Sequence, residues 1–430
     1  MGTHEFLNPF AESKGRTIFL LSLGSLALLA CGNIPASAAD GLRLGGFGTL
    51  GYAVDNRPDI AAAREISQRP ANGFATGGSW RLDSRLGVQL EYAIGPNVDF
   101  VGQIVLRDQF KTDFNSSTEL AYVAFKPRPQ LDIRVGRINY DAFLMSDHRN
   151  VGYAYPWVRP PSEFYSWIPI FSLDGADAAY SIQHDDTRWR IKLQAGRSEM
   201  SIPIENGYDF NTNDLLGVSL SRQSEFWRLK AAYSQFTIGS EVPAFAPLHS
   251  ALDQVAMAGI PSVSAEAGAL RRNLTFKDAK IAYTTLGAAY DNGTWLAQGE
   301  IGHVTATADA VPHGRMGYLS VGRRFGAWTP YLMLSAARPA NAVRTAASNW
   351  GALNAALRDP ALFTVNTTRT EQNTLSIGTR WDFYSQAALK LQWDRTVIKP
   401  SGYGLWWRDL SINSQTSRVN QVSATLDFTF

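Results

Sequence analysis

Apolar and polar residues alternate with period two through most of this 430-residue chain, and that pattern limits its fold more than any other feature. In TRWRIKLQAGR, Trp189, Ile191, Leu193 and Ala195 share one face, while Arg188, Arg190, Lys192 and Gln194 share the other. Successive side chains of a β-strand point to opposite faces, so the pattern means strand. It persists to the last residue. In VSATLDFTF, Val422, Ala424, Leu426, Phe428 and Phe430 oppose Ser423, Thr425, Asp427 and Thr429. Chain ends ordinarily fray into water, so a strand that runs into Phe430 must be held by something apolar.

Sixteen segments carry the alternation, at approximately 42–54, 80–94, 98–109, 117–126, 130–138, 175–184, 188–198, 214–223, 226–237, 279–291, 294–307, 315–325, 328–338, 371–383, 386–398 and 417–430. Each is about long enough to cross a bilayer as a tilted strand, roughly 9 to 11 residues. In a soluble sandwich the apolar face would meet a second sheet. Here the opposite face is charged in many segments, which suits a wet lumen and a lipid-facing exterior. Short connections (GPN at 95–97, KPRP at 126–129, HDDT at 184–187, RQSE at 222–225, DNG at 291–293, FGA at 325–327, FYS at 383–385) alternate with long, irregular loops. An even strand number with short turns at one end and long loops at the other marks a membrane-spanning barrel. The expected fold is therefore all-β: a closed antiparallel barrel of sixteen strands.

Tyr92, Phe125, Trp189, Trp227, Tyr290, Trp295, Phe325, Trp328, Phe383 and Tyr384 fall within a few residues of the short turns. Strands favour aromatics anywhere, but clustering at one end favours an interfacial girdle. The last strand must pair with the first, LRLGGFGTLGYAV, so that no sheet edge is left unsatisfied in lipid. Closure of the barrel would supply the apolar holder for Phe428 and Phe430.

No apolar run reaches the ~18 to 20 residues of a membrane helix. Ile18 to Cys31 (IFLLSLGSLALLAC) follows Lys14 and Arg16 and precedes an A-x-A site at Ala36, Ser37 and Ala38. That is the layout of a secretory signal peptide spanning 1–38, cleaved near Ala38 or Ala39, which leaves 39–430 as the barrel. A lipoprotein with Cys31 acylated is the rival reading. Cys31 is the only cysteine, so the mature chain would hold no disulfide or cysteine-rich metal site. A formal net charge of +2 argues against nucleic acid, which wants a concentrated basic surface.

Other motifs fall away on inspection. GFGTLG (46–51) matches G-x-G-x-x-G, but no helix follows it to hold a pyrophosphate. Its glycines fit bending or close approach in a strand instead. His148, His184, His249, His303 and His313 show no metal spacing, and no G-x-S-x-G occurs. No cofactor, metal or catalytic residue is expected, and an outer-membrane hydrolase is a poor competitor. Small-residue helical patterns at 249–259 and 349–359 suggest short helices in two long loops.

The first strand GFGTLGYAV, the terminal Phe430 and the position of one long loop together make the chain resemble the Gram-negative general porins. The resemblance covers essentially the whole mature chain. It implies a homotrimer of sixteen-stranded barrels in the outer membrane, in contact with its lipid and lipopolysaccharide, passing small hydrophilic solutes and ions. It also implies that the terminal phenylalanine is read by the barrel-assembly machinery, and that the loop after the fifth strand, 139–174, folds inward as a constriction. That loop, NYDAFLMSDHRNVGYAYPWVRPPSEFYSWIPIFSLD, is richer in Tyr, Trp and Pro than the short acidic motif of the enterobacterial members. Pro156, Pro160, Pro161 and Pro169 stiffen it, and Tyr153, Tyr155, Trp157, Phe164, Tyr165 and Trp167 are placed to anchor it. The same aromatics would equally suit packing over the mouth or at a subunit contact.

Within that loop, Asp141, Asp147, Arg149, Arg159, Glu163 and Asp174 are the expected constriction residues, with His148 beside them. On the wall, Arg85, Arg107, Arg134, Lys192, Lys230, Arg380 and Lys390 are expected to face inward. Acidic loop against basic wall would make a transverse field with mild anion preference; the bland alternative is that these charges only keep the interior hydrated. A channel that binds a ligand at the aromatic loop, and a plugged structural or adhesin barrel, are the competing functions.

Overall fold

Sixteen strands close into one antiparallel barrel. In chain order the strands are β1 (Leu42–Asp55), the short β2 (Ile60–Ala62), β3 (Arg85–Gly95), β4 (Val98–Arg107), β5 (Thr118–Arg128), β6 (Leu131–Asn139), β7 (Ser172–His184), β8 (Thr187–Ile202), β9 (Tyr208–Gln223) and β10 (Trp227–Ile238). They continue with β11 (Lys280–Asp291), β12 (Trp295–Ala306), β13 (Gly314–Arg323), β14 (Trp328–Pro339), β15 (Gln372–Tyr384), β16 (Ala387–Ile398), the short β17 (Trp406–Arg408) and β18 (Ser417–Thr429). Every barrel strand pairs with its neighbours in sequence, and β2 pairs with β17 outside the barrel sheet. The computed structural model describes residues 41–69, 77–166, 170–203, 207–400, 405–408 and 415–430. The expected signal segment 1–38, with Cys31 and the Ala38/Ala39 junction, lies outside them, as do Trp167 and Pro169.

The seam answers the question posed by the chain end. β18 pairs with β1 from Gln421 opposite Asp55 to Thr429 opposite Phe47. Beyond it the Phe430 N–H donates to Gly46 O at 3.0 Å, and Gly46 N–H donates back at 2.9 Å. The Phe428 and Phe430 rings lie flat over β1, where a methyl group on Gly48 would stand 2.2 Å from Phe428 and one on Gly46 2.3 Å from Phe430. The glycines of GFGTLG therefore serve close approach, and Phe428 is buried although it faces outward.

Alternation sorts the faces as expected. On β14, Trp328, Leu332 and Leu334 are exposed outside, while Thr329, Tyr331, Met333 and Ser335 are buried inside. Leu193, Leu286, Ile301 and Leu319 likewise stand exposed on the outer face. Tyr92, Phe125, Trp189, Trp227, Trp295, Phe325, Trp328, Phe383 and Tyr384 are all exposed at the short-turn end, with Trp328 stacked on Trp381 at 5.3 Å. An aromatic girdle and an apolar belt make the outside compatible with lipid. Among the described residues no helix is long and apolar enough to cross a membrane.

Several details differ from the sequence expectation, among them β9, which begins at Tyr208 and not 214, and β7, which begins at Ser172 and not 175. β3 begins at Arg85 rather than near 80, because Ser84 Oγ accepts the Gly51 N–H at 3.0 Å in place of a ladder carbonyl. The helix expected at 249–259 runs Ala246–Ala256, and a second, Pro261–Asn273, follows it with proline in its first turn. In the next long loop the regular α-helix is Asp359–Thr367, downstream of the expected 349–359. Leu252, Val263, Leu270, Trp350 and Val365 from these loops share one small apolar core at the long-loop end.

Candidate functional site

The segment between β6 and β7 lies against the inward faces of nearly the whole barrel. Asp141 N–H donates to Gln194 Oε1 of β8 at 3.1 Å, and Thr285 Oγ1 of β11 donates to Ala142 O at 2.6 Å. Leu144 N–H donates to Glu300 Oε2 of β12 at 2.9 Å, and Trp157 Nε1 to Ser320 Oγ of β13 at 2.7 Å. Val158 N–H reaches Gln392 Oε1 of β16 at 3.1 Å. Because a buried backbone donor left unpaired is costly, these wall side chains fix the path of the loop.

An apolar core fills the space between loop and wall. Phe143 meets Tyr283 at 5.5 Å between ring centroids, Phe164 meets Tyr318 at 5.5 Å and Trp157 meets Tyr318 at 5.7 Å. Tyr140, Phe143, Trp157 and Phe164 are each at most 1% exposed, so the loop's aromatics are anchors. The wall contributes Phe236, Tyr283, Met316, Tyr318, Tyr331 and Met333 from β10, β11, β13 and β14.

The expected constriction residues separate into distinct roles. Asp141 is buried between Lys192 Nζ, at 3.1 Å, and Lys230 Nζ, with Ser219 Oγ donating at 2.6 Å. Burial alone would raise its carboxyl, but Lys230 and Lys192 outweigh that and hold it well below the usual carboxylate range. Arg159 donates to both oxygens of Asp83 (3.0 and 2.6 Å), to Asp394 (3.2 Å), to Gln421 (2.7 Å) and to Ser423 (2.7 Å). Buried Glu163 accepts from Ser335 Oγ at 2.6 Å, Gln372 Nε2 at 2.7 Å and Thr374. Arg149 lies 3.3 Å from the Phe171 ring, and burial pulls its guanidinium down to about 10. Only Asp147 is exposed, accepting from Asn139 Nδ2 at 2.6 Å. Asp174 is a correction: it belongs to β7, on the parity of exposed Tyr180 and Ile182, and pairs with Arg137 at 2.7 Å.

The seven wall cations also correct the expected field across the lumen. Lys192 and Lys230 bind Asp141 directly. Lys390 pairs with Asp427 at 3.1 Å and donates to Gly152 O and Trp157 O at 2.6 and 2.8 Å. Arg85 donates to Asn150 O at 2.6 Å and Tyr155 Oη at 2.8 Å, and Arg380 to Tyr155 O at 3.2 Å. Arg107 bridges Glu65, at 3.3 Å, and Glu119; Arg134 is bound by Asp177 at 2.9 Å. Loop and wall charges meet in contact instead of facing one another across water, because an unpaired charge in this crowded interior would cost several kcal/mol, ~3–5 when a partner is missing.

The space the loop leaves lies along β3 to β8: a polar recess of about 440 Å³. Arg134, Asp147 and Lys192 border it, with the more open pairs Arg43–Glu91 (3.8 Å), Lys126–Asp99 (2.7 Å) and Arg190–Asp132 (3.5 Å). Half-buried His148 sits at the loop's turn, where burial first and Arg228 second pull its imidazole down to about 4. Sequence reasoning missed Asp83, Glu300, Asp394 and Asp427 as anchors. Three of them could have been found, since Glu300, Asp394 and Asp427 fall on the inward parity of their strands.

No family model matches this chain, and no curated protein matches it in sequence. Its likeness is structural: a closed sixteen-stranded barrel with the fold of general porins. The anion-selective porin from Comamonas acidovorans is similar at a TM-score of 0.54, with 10% identity over 90% of this chain and 99% of that one. Salmonella typhi OmpF, solved in complex with daunomycin, is similar at a TM-score of 0.50, with 11% identity over 90% of this chain and 97% of that one.

Proposed function

We propose that the protein is an integral outer-membrane porin, a non-enzymatic channel for passive diffusion of small hydrophilic solutes and ions. The observation that carries this reading is the way the lumen is shared: segment 139–174 packs against β8 to β16 and β18, and a recess of about 440 Å³ lined by charged residues remains along β3 to β8. A barrel of this strand number is wide enough for an aqueous channel. In this reading the loop is the constriction, with Asp147 as its solute-facing charge beside the more open pairs Arg43–Glu91, Lys126–Asp99 and Arg190–Asp132. The protein is exported by the 1–38 signal, assembled through Phe428 and Phe430, and packed as a homotrimer among outer-leaflet lipid and lipopolysaccharide.

The recess carries near-balanced ion pairs, so we infer weak ion selectivity in place of anion preference. A ligand site built on the loop's aromatics is disfavoured, because those rings are buried in the loop–wall core. The tightness of that core favours the plugged barrel as a second reading. Purified protein in planar bilayers decides between them: stepwise, ohmic current with a reversal potential near zero in a KCl gradient supports the porin. Folded protein without current overturns it in favour of the plug.

A further inference from the structure

The recess along β3 to β8 lies toward the short-turn end, since Arg43, Asp99, Lys126, Asp132 and Arg190, which line it, stand within a few residues of the strand ends there. Its volume, about 440 Å³, is that of a small-molecule site, for which ~300–1,000 Å³ is usual. Ala179 of β7 is the register partner of both Asp132 on β6 and Lys192 on β8, and it is buried. The longer side chains of β6 and β8 therefore meet over a small residue, and Arg190 reaches Asp132 across it.

The charges around this recess do not all find partners. Arg134 and Lys192 are taken by the buried carboxylates of Asp177 and Asp141. Among the remaining lining residues, Asp147 takes part in no described ion pair, and its one described hydrogen bond comes from Asn139 Nδ2. The Arg190–Asp132 pair is incomplete. Its single contact, Nη2 to Oδ2, is long at 3.5 Å, and Arg190 Nε and Asp132 Oδ1 have no hydrogen-bond partner. Lys126, by contrast, donates to Asp99 at 2.7 Å. Both side chains of the incomplete pair remain 31% and 30% exposed, so turning the terminal groups brings the unfilled atoms to a solute. Unfilled donors and acceptors are costly. This end of the recess thus holds one vacant donor, one vacant acceptor and one carboxylate without a cation.

We propose that this end of the recess binds a small zwitterionic solute, its carboxylate accepting from Arg190 and its ammonium donating to Asp132 and Asp147. A lone anion would leave Asp147 without a cation. A lone cation would leave Arg190 Nε unfilled, and a neutral polyol would fill hydrogen bonds without offsetting any charge. One molecule carrying both charges answers all three vacancies. Charge-assisted hydrogen bonds are roughly twice as strong as neutral ones, and the low-dielectric walls of a confined site focus the field that holds them. The inference names a solute class for the recess of the channel reading, and it rests on that reading only in taking the recess to be open to water.

The test uses the full chain refolded in deuterated detergent, with free serine as the probe. Lactate, ethanolamine and glycerol are the comparison arms, carrying only the negative charge, only the positive charge and neither. Saturation-transfer NMR titrations read binding. Serine should bind about tenfold more tightly than each of the other three, and Arg190→Gln with Asp132→Asn should weaken it about tenfold. Asp132→Glu keeps the charge and should hold serine within about threefold of wild type. Asp147→Asn should weaken serine while strengthening lactate, a reversal that a merely structural role would not produce. Asp291→Asn with Arg324→Gln removes an ion pair at the same end of the barrel but outside the recess, and should change nothing. Serine held no more tightly than ethanolamine would make this a plain cation site and overturn the proposal. Equal binding of lactate or glycerol, or unchanged serine affinity in the Arg190–Asp132 double variant, would overturn it too. Planar-bilayer current on the same samples separates the two claims: serine bound without current sinks the porin reading alone, and current without serine binding sinks this one.

Discussion

The carboxylate of Asp141 is the point at which the loop's entrance should be weakest to substitution. It neutralises two wall ammonium groups, Lys192 at 3.1 Å and Lys230, and all three side chains are at least nine-tenths buried. Asp141→Asn keeps the shape and leaves both cations without a counter-charge. Removing one partner of a buried ion pair costs about 3–5 kcal/mol. Against that stand the neighbouring apolar anchors Tyr140 and Phe143, each worth ~1.5–3 kcal/mol by burial. The two terms are comparable, so the entrance should open locally while 157–165, pinned by Arg159 and Glu163, stays docked. Hydrogen exchange at the Asp141-position and Leu144 amides, which donate to Gln194 and Glu300, reads that opening. A loss of ~3 kcal/mol corresponds to roughly a hundredfold faster exchange. Lys230→Met added to Asp141→Asn should recover part of it. The folded carboxyl titrates far below its ordinary value, so its contribution is complete above about pH 4 and fades only as pH falls further. The ratio of variant to wild-type exchange should therefore stay constant between pH 5 and 8. Exchange in Asp141→Asn within threefold of wild type would refute the view that this cluster holds the loop.

Three further outcomes follow from the same geometry. His148, held to about 4 by burial and Arg228, contributes loop stability that is complete above its ordinary value of ~6.5 and lost as pH falls toward 4. That loss is on the order of 2–3 kcal/mol, and His148→Gln should remove the acid-induced rise in Val151 amide exchange; an unchanged rise assigns it elsewhere. Arg159→Met leaves Asp394 without its cation and Asp83 with Arg64 alone, at 3.0 Å, and should cost ~3–5 kcal/mol, seen as faster exchange at the Val158 amide. Gly48→Val collides with the Phe428 ring and should cost ~1–3 kcal/mol by overpacking, lowering the temperature at which the detergent-solubilised barrel loses its β circular dichroism. Phe428→Ala in the same chain should relieve the collision.

The barrel was legible because a strand's period is local: two faces repeat over ten residues, and no distant partner is needed to see them. The short turns and the girdle follow from the same reading, whereas the inward fold of the loop after the fifth strand was an implication of the resemblance to general porins. The pairing of the loop's charges was not legible, because it is set across the lumen. Arg159 meets Asp83, Asp394 and Gln421, and Glu163 meets Gln372, through contacts between residues 76 to 262 positions apart. Asp174 is different. Its parity with Tyr180 and Ile182 was available, but ending the strand at 175 instead of Ser172 put it in the loop. The helix Pro261–Asn273 also left a sign, a proline suited to its first turn, with too weak a periodicity behind it.

A lumen-facing position in a water-filled barrel should be polar, and on β10 to β14 it often is not. Phe236 and Ile238, Ile281 and Tyr283, Met316 and Tyr318, Tyr331 and Met333 all occupy the inward parity, and all are buried. Left facing water, those side chains would each forfeit ~1.5–3 kcal/mol, so that arc of wall requires a cover. The segment 139–174 packs on that arc, and its Tyr140, Phe143, Trp157 and Phe164 supply the cover. Violations of the polar-inside rule thus account for the loop's apolar cover on β10 to β14, while the recess opens along β3 to β8. The buried cations follow from the same asymmetry. Lys192, Lys230, Arg380 and Lys390 stand where the loop crosses the wall, so they meet its carboxylate and its carbonyls before they can meet a solute. In the proposed channel, counting inward lysines and arginines therefore overstates the charge a permeant ion would feel, and ion preference would depend on the few pairs beyond the loop's edge.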